Sequence, residues 1–85
     1  MTSAERAIAL AEELRARLDD ARGLPDHDVE SIRVLIDAGE WAIALETLCT
    51  QIYEYDLEPS AVERDRLRVL GERLGVAVPH LLGEP

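Results

Sequence analysis

The sequence predicts an all-α fold, a small antiparallel four-helix bundle, and three observations lead to this prediction. Ala and Leu dominate the composition, Phe is absent and β-branched residues are few, which favours helix over strand. Apolar residues recur every three or four positions in four separate segments. Gly and Pro residues mark short connections between those segments, which makes consecutive helices antiparallel neighbours. The 85 residues suffice for a single domain, residues 1–85.

The first predicted helix covers residues 4–22. Thr2 is predicted to cap it, because Glu5 follows three residues later in the pattern of a capping box. The apolar face of this helix consists of Ala4, Ala7, Ile8, Ala11, Leu14 and Leu18. Gly23 is the predicted stop, and a Leu-Pro pair then breaks the chain before the next helix.

The second predicted helix covers residues 27–38, with Asp26 or Asp28 as its cap and Gly39 as its stop. Its inward face consists of Val29, Ile32, Leu35 and Ile36. These four residues recur at helical spacing and give the helix one apolar face.

The third predicted helix covers residues 40–55. A buried stripe occupies about a third of its circumference on a helical wheel. The stripe consists of Trp41, Ala44, Leu45, Leu48, Ile52 and Tyr55. Cys49 lies in the same apolar stretch and is predicted to be a core residue rather than a reactive thiol. A single cysteine excludes an internal disulfide and fits a reducing cytoplasm, which is the predicted location.

The fourth predicted helix covers residues 61–74. Ser60 and Glu63 form the clearest capping box in the chain, and Gly75 closes the helix. Its inner face consists of Val62, Leu67, Leu70 and Leu74. The tail over residues 76–85 is apolar enough to pack on the bundle, but it is broken by proline and glycine, so we expect it to be irregular.

The charge of the chain is negative and unevenly distributed. Eighteen acidic residues face nine bases, all Arg, which gives a net charge of -9. Residues 24–60 hold nine of the acids against Arg33, a net charge of -8. Nucleic acid and anionic membranes are poor partners for such a chain, whereas a basic protein would be steered towards it. The alternative is that the charge serves solubility alone.

No motif for catalysis or for a cofactor stands out. His27 and His80 lie far apart in sequence, and neither has a partner at metal-ligand spacing, so no metal site is expected. Phosphate-binding glycine loops are absent. The first residues, "MTSAERAIALAEEL", lack the pattern of a signal peptide, and the longest apolar run, "WAIAL", is too short for a membrane span. We therefore expect a protein that is not an enzyme and carries no cofactor.

The outer face of the third helix has an unusual composition. It consists of Ile43, Glu46, Thr47, Thr50, Tyr53 and Glu54. A tyrosine surrounded by carboxylates suits contact with an Arg- or Lys-rich partner. The alternative is that Ile43 and Tyr53 are buried because the helix is central and packed on both sides. The pattern alone leaves both interpretations open.

The segment "LIDAGEWAIALETLCTQIYEYD", followed by "PSAVERDRLRVLGERLGV", resembles the MafI family of bacterial immunity proteins. The resemblance covers about residues 29–76, and Gly-Glu-x-x-x-Ala-Leu-Glu-x-Leu is its most specific part. The residues that carry it are Leu35, Ile36, Gly39, Glu40, Ala44, Leu45, Glu46, Leu48, Tyr53, Glu54, Tyr55, Asp56, Leu67, Leu70, Gly71 and Leu74. The resemblance implies a small cytoplasmic protein that binds and neutralises a secreted polymorphic toxin, often a nuclease, through the C-terminal domain of that toxin.

The predicted partner-binding residues lie on the third helix and beside it. Four of them come first because they lie at the exposed end of the helix and in the loop that follows: Tyr53, Glu54, Asp56 and Glu58. The others are Ile43, Glu46, Asp37 and Glu40. Glu40 has a structural alternative in the first turn of the helix, where a carboxylate is favoured by the helix dipole. Glu46 has one too, as a brace to a neighbouring helix.

Two rival functions follow from the same residues. The first is a helical scaffold or regulatory module that binds another partner or itself. The second is a carrier protein, because acyl carrier proteins are also small acidic helical bundles and carry phosphopantetheine on a serine at the start of their second helix. Ser31 has similar neighbours, Glu30 and Ile32, but it falls inside the predicted second helix.

Overall fold

The computed structural model describes residues 1–84, which are helical and contain no strand. The helices are α1 (Ser3–Asp20), α2 (Asp26–Asp37), α3 (Trp41–Glu54), α4 (Ala61–Leu74) and α5 (Val78–Leu81). All four predicted helices are confirmed, and each of their ends lies within two residues of its predicted position. No helix within residues 1–84 has the length and apolar character needed to cross a membrane.

The prediction of an irregular tail is wrong where α5 forms. Pro79 lies in the first turn of α5, where the missing N–H costs no hydrogen bond and the fixed φ favours helix. Val78 anchors this short helix, because it is 1% exposed and packs directly on Gly71 of α4. A Cβ on Gly71 would lie 2.5 Å from Val78 Cγ2 and 2.7 Å from the Val76 carbonyl oxygen, so the close packing requires glycine.

The helix α3 is the centre of the fold and packs against each of the other four helices. Four of its residues have no exposed surface: Ala44, Leu45, Leu48 and Cys49. Around them lies one core cluster made of Leu14, Leu18, Leu24, Ile32, Ile36, Ile52, Leu67, Leu70, Val76, Val78 and Leu82. The predicted place of Cys49 in the core is therefore confirmed.

Most predicted caps are confirmed. The side-chain oxygen of Thr2 accepts a 3.1 Å hydrogen bond from the Glu5 amide, and Ser60 accepts one from Glu63 at the same distance. Gly75 closes α4 in the left-handed conformation. The prediction for α2 is wrong, because Pro25 begins this helix without any side-chain cap. Asp26 and Asp28 lie in its first turn instead, where their negative charge interacts favourably with the positive end of the helix dipole.

Several residues predicted to face the core are exposed: Ala4, Ile8 at 59%, Val62 at 58% and Tyr55 at 44%. All lie near the ends of their helices: Ala4 and Val62 in first turns, Ile8 in a second turn, and Tyr55 at the C-cap of α3. Ala4 and Ile8 lie in the early turns of α1, which has 18 residues and is longer than its neighbours. Trp41, at the start of α3, is half-buried rather than fully enclosed. Helical periodicity predicts the side of a helix that faces inward but not how far the cover extends.

Arg17 is a buried charge that periodicity did not reveal. Its side chain is 7% exposed, and its Nη1 lies 2.7 Å from Glu63 Oε1 of α4. Two further carboxylates on α1 approach the same guanidinium: Glu13 at 3.2 Å and Asp20 at 3.5 Å. Burial of an arginine is tolerated here because several carboxylates compensate its charge.

Candidate partner-binding surface

Within residues 1–84 the structure brings together no group of three or more His, Cys, Asp or Glu side chains that could hold a metal ion. The lone thiol is unsuited to nucleophilic chemistry, since burial raises the pKa of Cys49 to about 12. Ser31 lies in the second turn of α2, inside the helix as predicted, and its hydroxyl donates a 2.9 Å hydrogen bond to the His27 carbonyl oxygen. The predicted partner-binding residues, which include neither Cys49 nor Ser31, lie on α3 and beside it.

The outer face of α3 is open to solvent even though α3 packs against four helices. Ile43 is 48% exposed and Tyr53 is 62% exposed, so the alternative in which both are buried is wrong. Thr47 and Thr50 between them are half-buried. The hydroxyl of Thr47 donates to the Ile43 carbonyl oxygen at 2.8 Å, so it is satisfied within the helix. The apolar and aromatic side chains on this face are left free to contact another molecule.

Ion pairing divides the predicted acidic residues into two sets. Two of them are held by arginines of this chain: Asp37 by Arg15 at 3.0 Å, and Glu58 by Arg64 at 3.3 Å. The other four are exposed: Glu40, Glu46, Glu54 and Asp56. Within residues 1–84 none of these four forms an ion pair or a side-chain hydrogen bond.

Glu40 and Glu46 each have a structural alternative to partner binding, and the contacts of their carboxylates test it. Glu40 immediately precedes α3, but its side chain makes no capping hydrogen bond. Glu46 braces no neighbouring helix through an ion pair in the described part of the chain. Its carboxylate is exposed and available to a partner. Glu40 still lies where the dipole of α3 favours negative charge, so a structural contribution is retained at that position alone.

The predicted residues do not form one compact patch. The 14 residues of α3 span about 21 Å at 1.5 Å per residue, with Asp37 and Glu40 beyond one end and Asp56 and Glu58 beyond the other. Asp37 lines a shallow groove of about 300 Å³ between α1 and the start of α3. The structure brings Tyr53, Asp56 and Glu58 together at the other end, around a separate depression.

We call this depression the Tyr53 notch. It has a volume of about 150 Å³ and is lined by Ile52, Tyr53, Asp56, Leu57, Glu58, Pro59, Arg64 and Leu82. Ile52 and Leu82 are buried and provide apolar surface, whereas Tyr53, Asp56 and Glu58 are exposed at its edge. Arg64 is balanced internally, because it contacts Glu58 at 3.3 Å and Glu84 at 3.0 Å. The two carboxylates and one guanidinium that line the notch leave a net charge of -1.

The ring of Tyr53 is supported by the C-terminal segment. It lies against Gly83, where a Cβ would collide with its Cδ2 and Cε2 atoms. This segment is anchored on both sides of Gly83, since Leu82 is 8% exposed and Glu84 is bonded to Arg64. Gly83 therefore covers part of the ring, and most of the Tyr53 side chain stays exposed. No local sequence pattern predicts this contact, because Tyr53 and Gly83 lie thirty positions apart.

The backbone at Asp56 adopts a conformation that usually requires glycine. Asp56 has a φ of 55° and is the one non-glycine residue with positive φ within residues 1–84. Its amide bonds to the Tyr53 carbonyl oxygen at 3.1 Å, and the Leu57 amide bonds to that of Ile52 at 2.9 Å. These two bonds form a Schellman motif in which glycine is the common residue. The equivalent position after α2 is Gly39, with a φ of 76°.

The C-terminal end of α3 is also unfavourable for acidic residues. Carbonyl groups give the end of a helix a partial negative charge, so basic residues are stabilising there and acidic ones are not. The last turn of α3 contains no basic residue, and Glu54 and Asp56 carry unpaired carboxylates at this end. The last turns of α1 and α4 contain Arg17 and Arg73, and the acidic residues that end α1 and α2 are paired, Asp20 with Arg17 and Asp37 with Arg15. Local electrostatics therefore disfavours the acidic residues at positions 54 and 56, and the left-handed backbone at 56 accepts aspartate but would suit glycine better.

A second polar cluster joins α2 to α3. The Tyr55 hydroxyl donates a 2.6 Å hydrogen bond to Asp28 Oδ2, and Gln51 Nε2 donates to Asp28 Oδ1 at 3.2 Å. His27 Nε2 lies 3.5 Å from the same carboxylate. Donation to Asp28 raises the pKa of Tyr55, with smaller contributions from desolvation and nearby carboxylates. The signal that could have revealed this cluster is the four-residue spacing of Gln51 and Tyr55, which places both on one face.

Comparison with family models, with curated proteins and with solved structures gives no match for this chain. A functional proposal therefore rests on the geometry above and on the motif residues. Most of those motif residues are structural: Ala44, Leu45 and Leu48 are fully buried, and Gly39 closes α2. The exposed ones are Glu40, Glu46, Tyr53, Glu54, Tyr55 and Asp56.

Proposed function

We propose that this chain is an immunity protein that binds and neutralises a cognate secreted polymorphic toxin, a basic nuclease. The proposal rests mainly on Glu54 and Asp56, which lie at the negative end of α3. Neither carboxylate has an ion-pair partner within residues 1–84. Both are locally unfavourable, one through the helix dipole and the other through dipole and backbone together. Features that violate local rules without a local gain are expected at functional sites.

The composition of the surface suits a protein partner. Tyr53 and Ile43 supply exposed aromatic and aliphatic area, and Glu46 supplies a further unpaired carboxylate on the same face. Aromatic residues at the centre of an interface contribute much of the binding energy, and charges at its edge mainly raise the association rate. A nuclease must present basic surface to bind phosphates, and an acidic surface is complementary to it.

The mechanism under this proposal is stoichiometric inhibition without chemistry by this chain. Electrostatic attraction would bring the toxin C-terminal domain to α3, and Tyr53 would then anchor it. The inhibitor would act in the cytoplasm, where the toxin meets its substrate. We also propose that the four long helices run as an antiparallel bundle, which is supported by connections of three to six residues.

The test of the proposal is co-expression with the toxin domain encoded beside this chain. Cells that express the toxin domain alone should die, and cells that express both chains should survive and yield a co-purifying complex. The double variant Tyr53→Ala with Glu54→Arg should lose protection while staying folded. Full protection by that variant would move the interface to another surface. Neighbouring genes for biosynthetic enzymes, together with phosphopantetheine on Ser31 by intact mass, would favour the carrier function instead.

A further inference from the structure

We propose that the Tyr53 notch is a binding site for one arginine side chain of the protein partner, with the Tyr53 ring as its platform and Asp56 as its carboxylate ligand. This deepens the proposed function, because it names the group that the acidic end of α3 recognises. The proposal rests on the shape of the notch, its charge and the support of the tyrosine ring.

The size of the notch fits the end of a long side chain rather than a whole peptide. Its volume of about 150 Å³ is about that of a cavity that admits a benzene-sized group, so it has room for one planar head group. Ile52 and Leu82 line the notch, but they are 3% and 8% exposed, so they offer only a small apolar contact to the last methylenes of such a side chain. Arginine side chains bury their stem on apolar surface while the guanidinium stays near the edge.

The groups at the edge favour a guanidinium. The exposed ring of Tyr53 offers a face on which a planar cation can stack, and arginine uses this arrangement more often than lysine. Asp56 lines the notch with a carboxylate that no group within residues 1–84 neutralises. The second carboxylate, Glu58, already holds the guanidinium of Arg64 at 3.3 Å and is 81% exposed, so one of its oxygens is open to a further donor.

The platform is held in place before the partner arrives. Gly83 lies against one side of the Tyr53 ring. A 3.0 Å hydrogen bond from Arg64 to Glu84 holds the segment that contains this glycine. A side chain that is already ordered loses less entropy on binding than a free one. We therefore infer that Gly83 is a positioning residue for Tyr53, although it lies outside the set of residues predicted from sequence.

The test is a titration of the isotope-labelled full chain with N-acetyl-arginine amide, followed by amide chemical shifts. Shifts should saturate at Tyr53, Asp56 and Gly83. The neutral citrulline analogue should produce none, and the lysine analogue should bind more weakly. Tyr53→Leu should lower the affinity for the arginine probe about two- to five-fold, the range expected for an exposed cation–π contact. Asp56→Asn should lower it by a similar factor of about two to five, because asparagine keeps the left-handed backbone but not the charge.

The matched control is Glu12→Gln, which removes an unpaired exposed carboxylate from α1 and should leave the affinity unchanged. Shifts that spread over all acidic surfaces without saturating would overturn the proposal, as would equal binding of the lysine analogue. The outcome is separable from that of co-expression. Binding of the arginine probe without protection from the toxin would refute the proposed function alone, whereas protection without probe binding would refute the arginine site alone.

Discussion

The guanidinium of Arg17 and the carboxylate of Glu63 meet at 2.7 Å and join α1 to α4 through a largely buried ion pair. Glu63 serves a second role in the same place, because its amide donates to the Ser60 oxygen that caps α4. It also accepts a hydrogen bond from Arg66 at 3.1 Å. Glu63 therefore fixes the start of α4 through three contacts: one with the capping residue Ser60, one with Arg66 of the same helix and one with Arg17 of α1.

Removal of Arg17 should destabilise the fold, but by less than the loss of an isolated buried pair. Arg17→Met keeps much of the apolar stem, and Glu63 retains Arg66, so we expect a loss of about 1–3 kcal/mol in the free energy of unfolding. Arg15→Met breaks the exposed pair with Asp37 and should cost less than about 1 kcal/mol. Urea denaturation of the two variants measures the difference. Equal effects would mean that burial adds nothing at Arg17.

Asp56→Gly should make the protein more stable and a weaker binder. Glycine adopts the left-handed conformation without strain and removes a carboxylate from the negative end of α3, so we expect a gain of up to about 1 kcal/mol. Gly39→Asp is the mirror control, since Gly39 occupies the equivalent position after α2 with no neighbour within 4 Å, and it should lose a similar amount. Thermal unfolding and toxin binding test the pair of effects. A loss of stability in Asp56→Gly would show that the aspartate is structural.

If the proposed function holds, charge reversal on the outer face of α3 should slow association with the toxin domain. Glu46→Arg combined with Glu54→Arg should reduce the association rate constant on the order of ten-fold at low salt, and less at high salt. The fold should tolerate the change, because neither carboxylate forms an ion pair within residues 1–84. The control is Glu5→Arg combined with Glu12→Arg on α1, which changes net charge equally. If both double variants slow association alike, overall charge rather than this face is responsible.

The buried thiol predicts a pH dependence of stability in the alkaline range. Burial raises the pKa of Cys49 from 9.0 to about 12, so the folded state holds the proton more tightly than the unfolded state. The resulting stabilisation is complete below pH 9 and is lost as the pH rises towards 12. The slope should approach about 1.4 kcal/mol per pH unit once the unfolded thiol ionises.

Cys49→Ala isolates this contribution, because every other titrating group is shared with the original chain. The free energy of unfolding of the original chain should fall more steeply than that of the variant between about pH 9 and pH 12. Parallel curves would show that the thiol ionises as easily in the folded state. Alkylation of the native thiol near neutral pH should likewise wait for unfolding.

The hydrogen bond from Tyr55 to Asp28 should be visible in tyrosine titration. Tyr53→Phe leaves Tyr55 as the single tyrosine, and its pKa should lie above the ordinary 10.0, since donation to Asp28 favours the protonated phenol. Asp28→Asn added to that variant should lower the pKa, followed by ultraviolet absorbance. The stabilisation from this bond is present below the ordinary pKa and is lost as pH rises through the folded value. An unchanged titration would exclude the bond in solution.

The helices could be predicted from sequence because their signals are local. The Ser60–Glu63 box and Gly75 fix both ends of α4 within the segment itself, and the structure places them as predicted. The burial of Arg17 could not be predicted, because its partner Glu63 lies 46 residues away. Exposure of Tyr53 was open for the same reason, since it depends on which helices cover α3. The residue types in the sequence indicate the candidate residues. The fold is needed to show which of their carboxylates form ion pairs and which do not.

The division of α3 into two faces has an evolutionary consequence. Ala44, Leu45 and Leu48 have no exposed surface, whereas Ile43, Glu46 and Tyr53 alternate with them along the same helix and face solvent. Substitutions in the second set leave the packing of the first untouched, so partner choice and folding can drift under separate selection. A few surface replacements on α3 could therefore change what the outer face binds and leave the packed core intact.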